Sequence, residues 1–208
     1  MILTTEEKIL EAAKKVFHQK GYDGARMQEI ADEAGINKAL VHYYYRNKDN
    51  LFQAVFEDAF TRLLSKVNEI FFSTGTILQK TESFLEYYMD FLQKNSFLPM
   101  FILNSLYNRP DQLQIILGKL ALTPNNLLAL IKKQLKEEYN LDIDPMHVYI
   151  NLLSMVIFPI VARPLIQQIF RLSQKEMELF FEERKKEVPL FIINALKGYS
   201  NETIRTNE

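Results

Sequence analysis

The stretch AGINKALVHYYYRNKDNLF, Ala34–Phe52, decides how this chain folds. Gly35 breaks an apolar period, Asn37 is a good N-cap, and Lys38 opens a helix of barely two turns. In that helix Val41, Tyr44 and Tyr45 recur at i, i+3 and i+4, which predicts one inward face. Lys38, Ala39, His42 and Tyr43 fall on the opposite face. Two tyrosines are therefore expected in the core, and one tyrosine and a histidine outside it beside a lysine. Asn47 then caps a further helix starting near Lys48.

Upstream, Thr4 and Glu7 form a capping box, and Ile9, Ala12, Ala13, Val16 and Phe17 follow at helical spacing. Gly21 stands where a helix stop is expected. Met27, Ile30, Ala31 and Ala34 repeat the period over about two turns, the two alanines small enough for close helix approach. Downstream of Asn47, Leu51, Val55, Phe56, Ala59, Leu63 and Leu64 line a longer helix. Helix, short helix, Gly-containing turn, short helix is the order of a three-helix unit carrying a helix-turn-helix.

The rest reads as longer helices at 48–72, 76–94, 96–107, 111–121, 124–139, 145–171 and 174–197, with a frayed tail from Ser200. Thr123-Pro124 and Asp144-Pro145 pair an N-cap with proline at the first helical position, and Ser173 with Glu176 makes another capping box. Pro159, Pro164 and Pro189 are expected to bend the last two helices. With 48% hydrophobic residues, 6 Gly and 7 Pro in 208, the chain has a core to bury and few turn signals. The fold class is all-α: an N-terminal three-helix domain at 1–47 and a larger C-terminal helical bundle at 48–208.

Composition also narrows function. The chain has no Cys, which removes thiolate chemistry, disulfides and zinc fingers and is compatible with a reducing cytoplasm. His18, His42 and His147 have no carboxylate at catalytic or metal-ligand spacing, so no catalytic residue, metal site or cofactor is expected and an enzyme is disfavoured. MILTTEEKIL turns charged too soon for a signal peptide, and the apolar run Leu152–Ala162 is too short for a bilayer, which needs about 20 such residues. Net charge is −1, and residues 1–50 hold eight cations against eight carboxylates. DNA binding must therefore rest on where the charges lie.

Residues 4–55 resemble the N-terminal domain of the TetR family of bacterial transcriptional regulators, through ILEAAKKVFHQKGYDGA, EIADEAGINKALVHYYYRNKDNLFQAVF and the spacing between them. The resemblance implies a homodimer on a palindromic double-stranded DNA operator, with a C-terminal domain holding a small-molecule pocket and the dimer interface. Repression is that family's commoner mode. Two departures stand out. Ala25-Arg26-Met27 replaces the usual Thr or Ser at the start of the second helix. Ala39-Leu40 followed by Val41-His42-Tyr43-Tyr44-Tyr45 replaces the usual Gly-Thr followed by Leu-Tyr-His-Tyr-Phe.

On this reading Arg26, His42 and Lys48 contact phosphate, and Tyr43 meets a phosphate or a base. Lys38 reaches guanine O6 or N7, and Ala39 or Leu40 meets a thymine methyl. Arg26 as an ion-pair partner of Glu29, and His42 and Lys38 as solvated surface groups, are the plain alternatives. The effector pocket is expected from Phe84, Tyr87, Tyr88, Phe91, Met100, Phe101, Met155 and Phe158, with Asn104, Tyr107, Asn151 and Arg163 as polar handles. Core packing competes for each aromatic, and Arg163 either pairs with a carboxylate or meets an anionic effector. Met177, Phe180, Phe181, Val188 and Phe191 are the expected dimer contacts. The rival reading is a helical ligand- or partner-sensing protein without sequence-specific DNA binding.

Overall fold

Thr4 opens the first helix as its sequence predicts: its hydroxyl accepts from Glu7 N at 3.2 Å, and Glu7 Oε2 accepts from Thr4 N at 2.8 Å. Ile9, Ala12, Ala13, Val16 and Phe17 form its buried stripe. The computed structural model describes residues 3–108 and 124–205, and among them every regular element is helical. These are α1 (Thr5–Gly24), α2 (Met27–Ala34), α3 (Lys38–Tyr45), α4 (Lys48–Phe71), α5 (Ile77–Lys94) and α6 (Phe97–Asn108). After residue 123 come α7 (Pro124–Tyr139), α8 (Pro145–Val161), α9 (Arg163–Phe170) and α10 (Gln174–Arg205). The helix expected at 111–121 lies outside the described residues.

Packing divides the chain into two units, the first within Met1–Leu64 and Lys94–Leu122, the second within Ser65–Gln93 and Thr123–Glu208. This differs from the sequence division at 47/48. The reason is that Leu51, Phe52, Val55 and Phe56 of α4 are fully buried, and Phe52 meets Phe17 of α1 edge-on at 4.7 Å. Phe97 of α6 closes the same cluster, 5.6 Å from Phe52. Periodicity marks such residues as buried but does not say which helix they pack against.

In the second unit α5 buries Phe84, Leu85, Tyr88 and Met89, α8 buries Leu152, Val156 and Pro159, and α10 buries Met177, Phe181, Val188, Ile192 and Leu196. Glu138 of α7 accepts from Ile77 N at 2.9 Å and so caps α5 from outside its own segment. Lys80 is buried, its ammonium donating to Phe71 O at 3.0 Å and Gln134 Oε1 at 3.1 Å. Nothing in the linear pattern announced that buried cation.

Two helices depart from their expected spans. The helix expected at 145–171 is two, α8 and α9, bent by 69° about Ala162. Pro164 has no N–H to give and its ring crowds the carbonyl four residues earlier, so α8 stops and α9 restarts with proline in its first turn. Asp144 caps α8 through Met146 N at 2.9 Å. The capping box of α10 forms as predicted, Glu176 N to Ser173 Oγ at 3.3 Å and Ser173 N to Glu176 Oε2 at 2.8 Å. That helix runs across Pro189 without a break and on to Arg205, beyond the expected end at 197.

A candidate nucleic-acid interface on the third helix

The turn between α2 and α3 is built by two residues. Gly35 sits at φ 67°, ψ 33°, the left-handed conformation in which a Cβ is strained, and its N–H and that of Ile36 bond back to Asp32 O at 3.1 Å and Ala31 O at 3.0 Å. Asn37 then starts α3 by accepting from Leu40 N at 2.8 Å. Buried Val41 and Tyr45 hold α3 against its unit, and the Tyr45 hydroxyl donates to Glu6 at 3.4 Å. Burial first, then the Glu6 carboxylate, pushes the Tyr45 phenol well above its ordinary pKa, so it stays neutral.

With Val41 and Tyr45 inward, Lys38, Ala39, His42 and Tyr43 are exposed and Leu40 is half-buried. Tyr43 is 79% exposed. Tyr44 corrects the sequence expectation: it is 41% exposed, standing edge-on to Tyr43 at 5.5 Å. In a two-turn helix the buried stripe is only as wide as one i, i+4 pair, and the i+3 residue falls on its shoulder. The His42 ring is oriented by its Nδ1, 2.8 Å from Arg46 O, which leaves Nε2 to face outward. From Ala34 to Lys48 the sequence has no Asp or Glu, while it has Lys38, Arg46 and Lys48. The charge balance of the first fifty residues conceals this local excess.

Arg46 closes α3 at φ 59°, ψ −47°, with Asn47 N donating to Tyr45 O at 2.6 Å, a γ-turn at a residue other than glycine. Asn47 then accepts from Asn50 N at 2.8 Å and starts α4.

Of the expected phosphate ligands, Lys48 is turned inward and Arg26 is not. The Lys48 ammonium donates to Tyr22 O at 2.9 Å, Ala25 O at 3.2 Å and Asp23 O at 3.4 Å, and lies 4.4 Å over the Tyr22 ring. The Tyr22 hydroxyl in turn donates to Asp49. All three ammonium protons therefore satisfy carbonyls at the end of α1, and Lys48 is not presented as a free phosphate ligand. Arg26 is exposed at the start of α2 and its backbone N–H donates to Glu29 at 3.2 Å. The Lys20 ammonium, not the Arg26 guanidinium, takes the Glu29 carboxylate, at 2.9 Å, and that bond holds the carboxyl below its usual pKa. The Arg26 guanidinium is left outward.

This geometry is a helix-turn-helix, and the model for bacterial regulatory proteins of the tetR family matches residues 9–55, which run from the α1 core through α3 into α4. Residues 9–55 are thus a regulatory domain of the tetR type. Its relatives include the HTH-type transcriptional regulator RutR of Escherichia coli, 26% identical over 192 residues, spanning 91% of this chain and 89% of RutR. The fold is shared with a TetR/AcrR-family regulator from Thermobifida fusca, at TM-score 0.66 and 19% identity over 93% of this chain and 97% of that one. It is also shared with FadR of Bacillus subtilis, solved in complex with stearoyl-CoA, at TM-score 0.61 and 14% identity over 89% and 96%. The chain thus carries a tetR-type helix-turn-helix domain, and shares its overall fold with solved regulators of that type.

The residues expected at a TetR-type effector pocket fall into four groups. Phe84 and Tyr88 stack at 5.2 Å in the second unit, and Tyr87 stacks on Phe91 at 6.3 Å. Met155 and Arg163 lie on α8 and at the start of α9, both half-buried. Burial, then Tyr149, pushes the Tyr88 phenol up. Met100, in the first unit, is 52% exposed, and Phe158 and Asn151 of the second are exposed too. The side chains of Phe101, Asn104 and Tyr107 lie outside the described residues.

The expected dimer contacts need a larger correction. Met177 has no exposed surface, and Phe181 and Val188 are buried in their own chain, with Phe180 half-buried. Only Phe191, 62% exposed, faces outward. α10 has apolar residues on two faces, and the denser face is the chain's own core. No group of three or more His, Asp or Glu able to hold a metal occurs among the described residues, and no single helix among them is long and apolar enough to cross a membrane.

Proposed function

We propose that this TetR-family protein is a repressor that binds a palindromic operator as a homodimer and is released by a small apolar or amphipathic effector. The observation that carries the DNA half is the outward face of α3: a cation, an imidazole and two phenols on a capped helix anchored by Val41 and Tyr45. Arg26 and His42 position the domain on phosphates, Lys38 and Ala39 read base edges, and Leu40 and Tyr43 add apolar contact. Tyr44 joins Tyr43 as a hydroxyl for phosphate. Lys48 acts from one layer behind, fixing the end of α1 to the start of α4.

The homodimer is proposed on a revised surface. Phe158, Leu165, Ile169 and Phe170 on α8 and α9, with Leu190 and Phe191 on α10, are large apolar side chains left exposed in the single chain. A two-fold pairing of such faces is how helical regulators bury them. It sets two recognition helices about 34–36 Å apart or a multiple of that. The effector half is supported by the stearoyl-CoA complex of the B. subtilis neighbour and by the aromatic pair Phe84 and Tyr88 in the second unit. An effector loosens the operator only as far as it favours the unbound form. The protein acts in the cytoplasm and performs no catalysis.

Selection of the full-length protein against random duplexes tests this reading. A palindromic winner whose affinity falls about 10³-fold or more between 50 and 200 mM salt is expected for six or more phosphate contacts. No enrichment at low salt would instead favour a ligand- or partner-sensing protein.

A further inference from the structure

We infer that Arg163 and Arg184 form a receptor for an oxyanion, the acidic head of an amphipathic effector; this deepens the effector reading above and rests on it. Arg163 Nη2 is buried and has no hydrogen-bond acceptor among the described residues. Its guanidinium lies 5.6 Å from the centre of the Phe181 ring. Arg184 is half-buried, its Nη2 donating to Met155 O at 2.7 Å and its guanidinium 5.5 Å from the Phe180 ring. Phe180 and Phe181 meet edge-on at 5.7 Å, so the two guanidiniums flank one aromatic pair.

Neither arginine has a carboxylate within ion-pair distance among the described residues. The acids next to Arg184 in sequence are engaged or turned to solvent: Lys185 takes Glu182 at 2.8 Å, while Glu183 and Glu187 are exposed, and Lys185 also takes Asp90 of α5 at 2.6 Å. Burying a guanidinium N–H without an acceptor is costly, and a ring face offsets only part of that cost. A planar fork of N–H donors kept free of internal carboxylates fits an anion from outside, a carboxylate or a phosphate, which it can grip through two parallel bonds. Val156 and Pro159, buried on α8 shortly before Arg163 in sequence, and the Phe180–Phe181 pair supply apolar surface for the attached chain.

Calorimetric titration of the full-length protein with decanoate, decanoyl-CoA and 1-decanol tests this, with Arg163→Gln, Arg163→Lys and Arg184→Gln alongside and circular dichroism to check each fold. An anionic ligand is expected to bind on the order of tenfold or more tighter than the alcohol, with Arg163→Gln erasing that preference and Arg163→Lys keeping part of it. A preference for decanoate identifies a carboxylate head, and a preference for decanoyl-CoA a phosphate. Equal binding of both anionic ligands and the alcohol overturns the oxyanion receptor and leaves the effector reading standing. Failure of all three to bind overturns both. If Arg163→Gln leaves the preference intact and shifts the oligomeric state in sedimentation, the counter-charge belongs to a second copy of the chain and the inference falls. If Arg163→Gln does not fold, loss of the preference in Arg184→Gln supports the receptor and its retention there sinks it.

Discussion

Arg46 holds a backbone conformation that only glycine adopts without strain, at the point where the recognition helix hands over to α4. Replacing it with glycine should stabilise the protein by about 1 kcal/mol in urea unfolding, because strain of this kind costs about 1–3 kcal/mol and glycine's extra unfolded-state freedom returns part of the gain. Arg46→Ala keeps the strain and is the control. The same scale separates two cations that look alike in sequence. Lys48→Met should destabilise the fold by about 1–2 kcal/mol, since it strips three carbonyls of a donor, and leave the salt slope of DNA binding unchanged. Arg26→Ala should do the reverse: unchanged stability, and a slope shallower by about one. If Lys48→Met instead flattens the slope, the ammonium leaves its carbonyls for a phosphate on the operator.

At the scale of elements, α2 and α3 are short, and their termini do much of the positioning. Asn37→Ala removes the side-chain acceptor for Leu40 N and should cost about 1 kcal/mol. Gly35→Ala meets no atom within 4 Å, so its penalty is conformational alone, again about 1 kcal/mol. Both variants should lose operator affinity beyond their stability cost, because each frees the angle at which α3 is presented; gel-shift titration on folded protein measures the difference. These termini were legible in the sequence because capping is local: Asn37, Thr4, Asp144 and Ser173 act on residues two or three away. The break at Ala162 was only half legible. Pro159 and Pro164 both announce a bend, but Pro159 is accommodated inside α8 and only Pro164 falls where α8 ends.

For the whole molecule, the decisive partition is between apolar surface spent on the chain's own core and apolar surface left over. Met177→Ala should cost about 2–5 kcal/mol of folding stability, the range for emptying a fully buried side chain. Phe191→Glu should leave helicity and folding nearly unchanged while converting a dimer to a monomer in sedimentation equilibrium. The monomer should also lose at least about 100-fold in operator affinity, since one half-site cannot hold what two held. A Phe191→Glu protein that still sediments as a dimer would place the interface elsewhere.

Helix identity, the capped helix starts and the two-sided character of α3 were determined by the sequence, since periodicity and capping act within about four residues along the chain. Tertiary structure alone decided that Phe97 packs with Phe17 and Phe52, that the Lys48 ammonium turns inward onto α1, and that Met177 is core while Phe191 is not. It also left Arg163 Nη2 buried with no acceptor among the described residues. Each of these depends on which residues far apart in sequence meet, and a hydrophobic or charged letter specifies only that it seeks a partner.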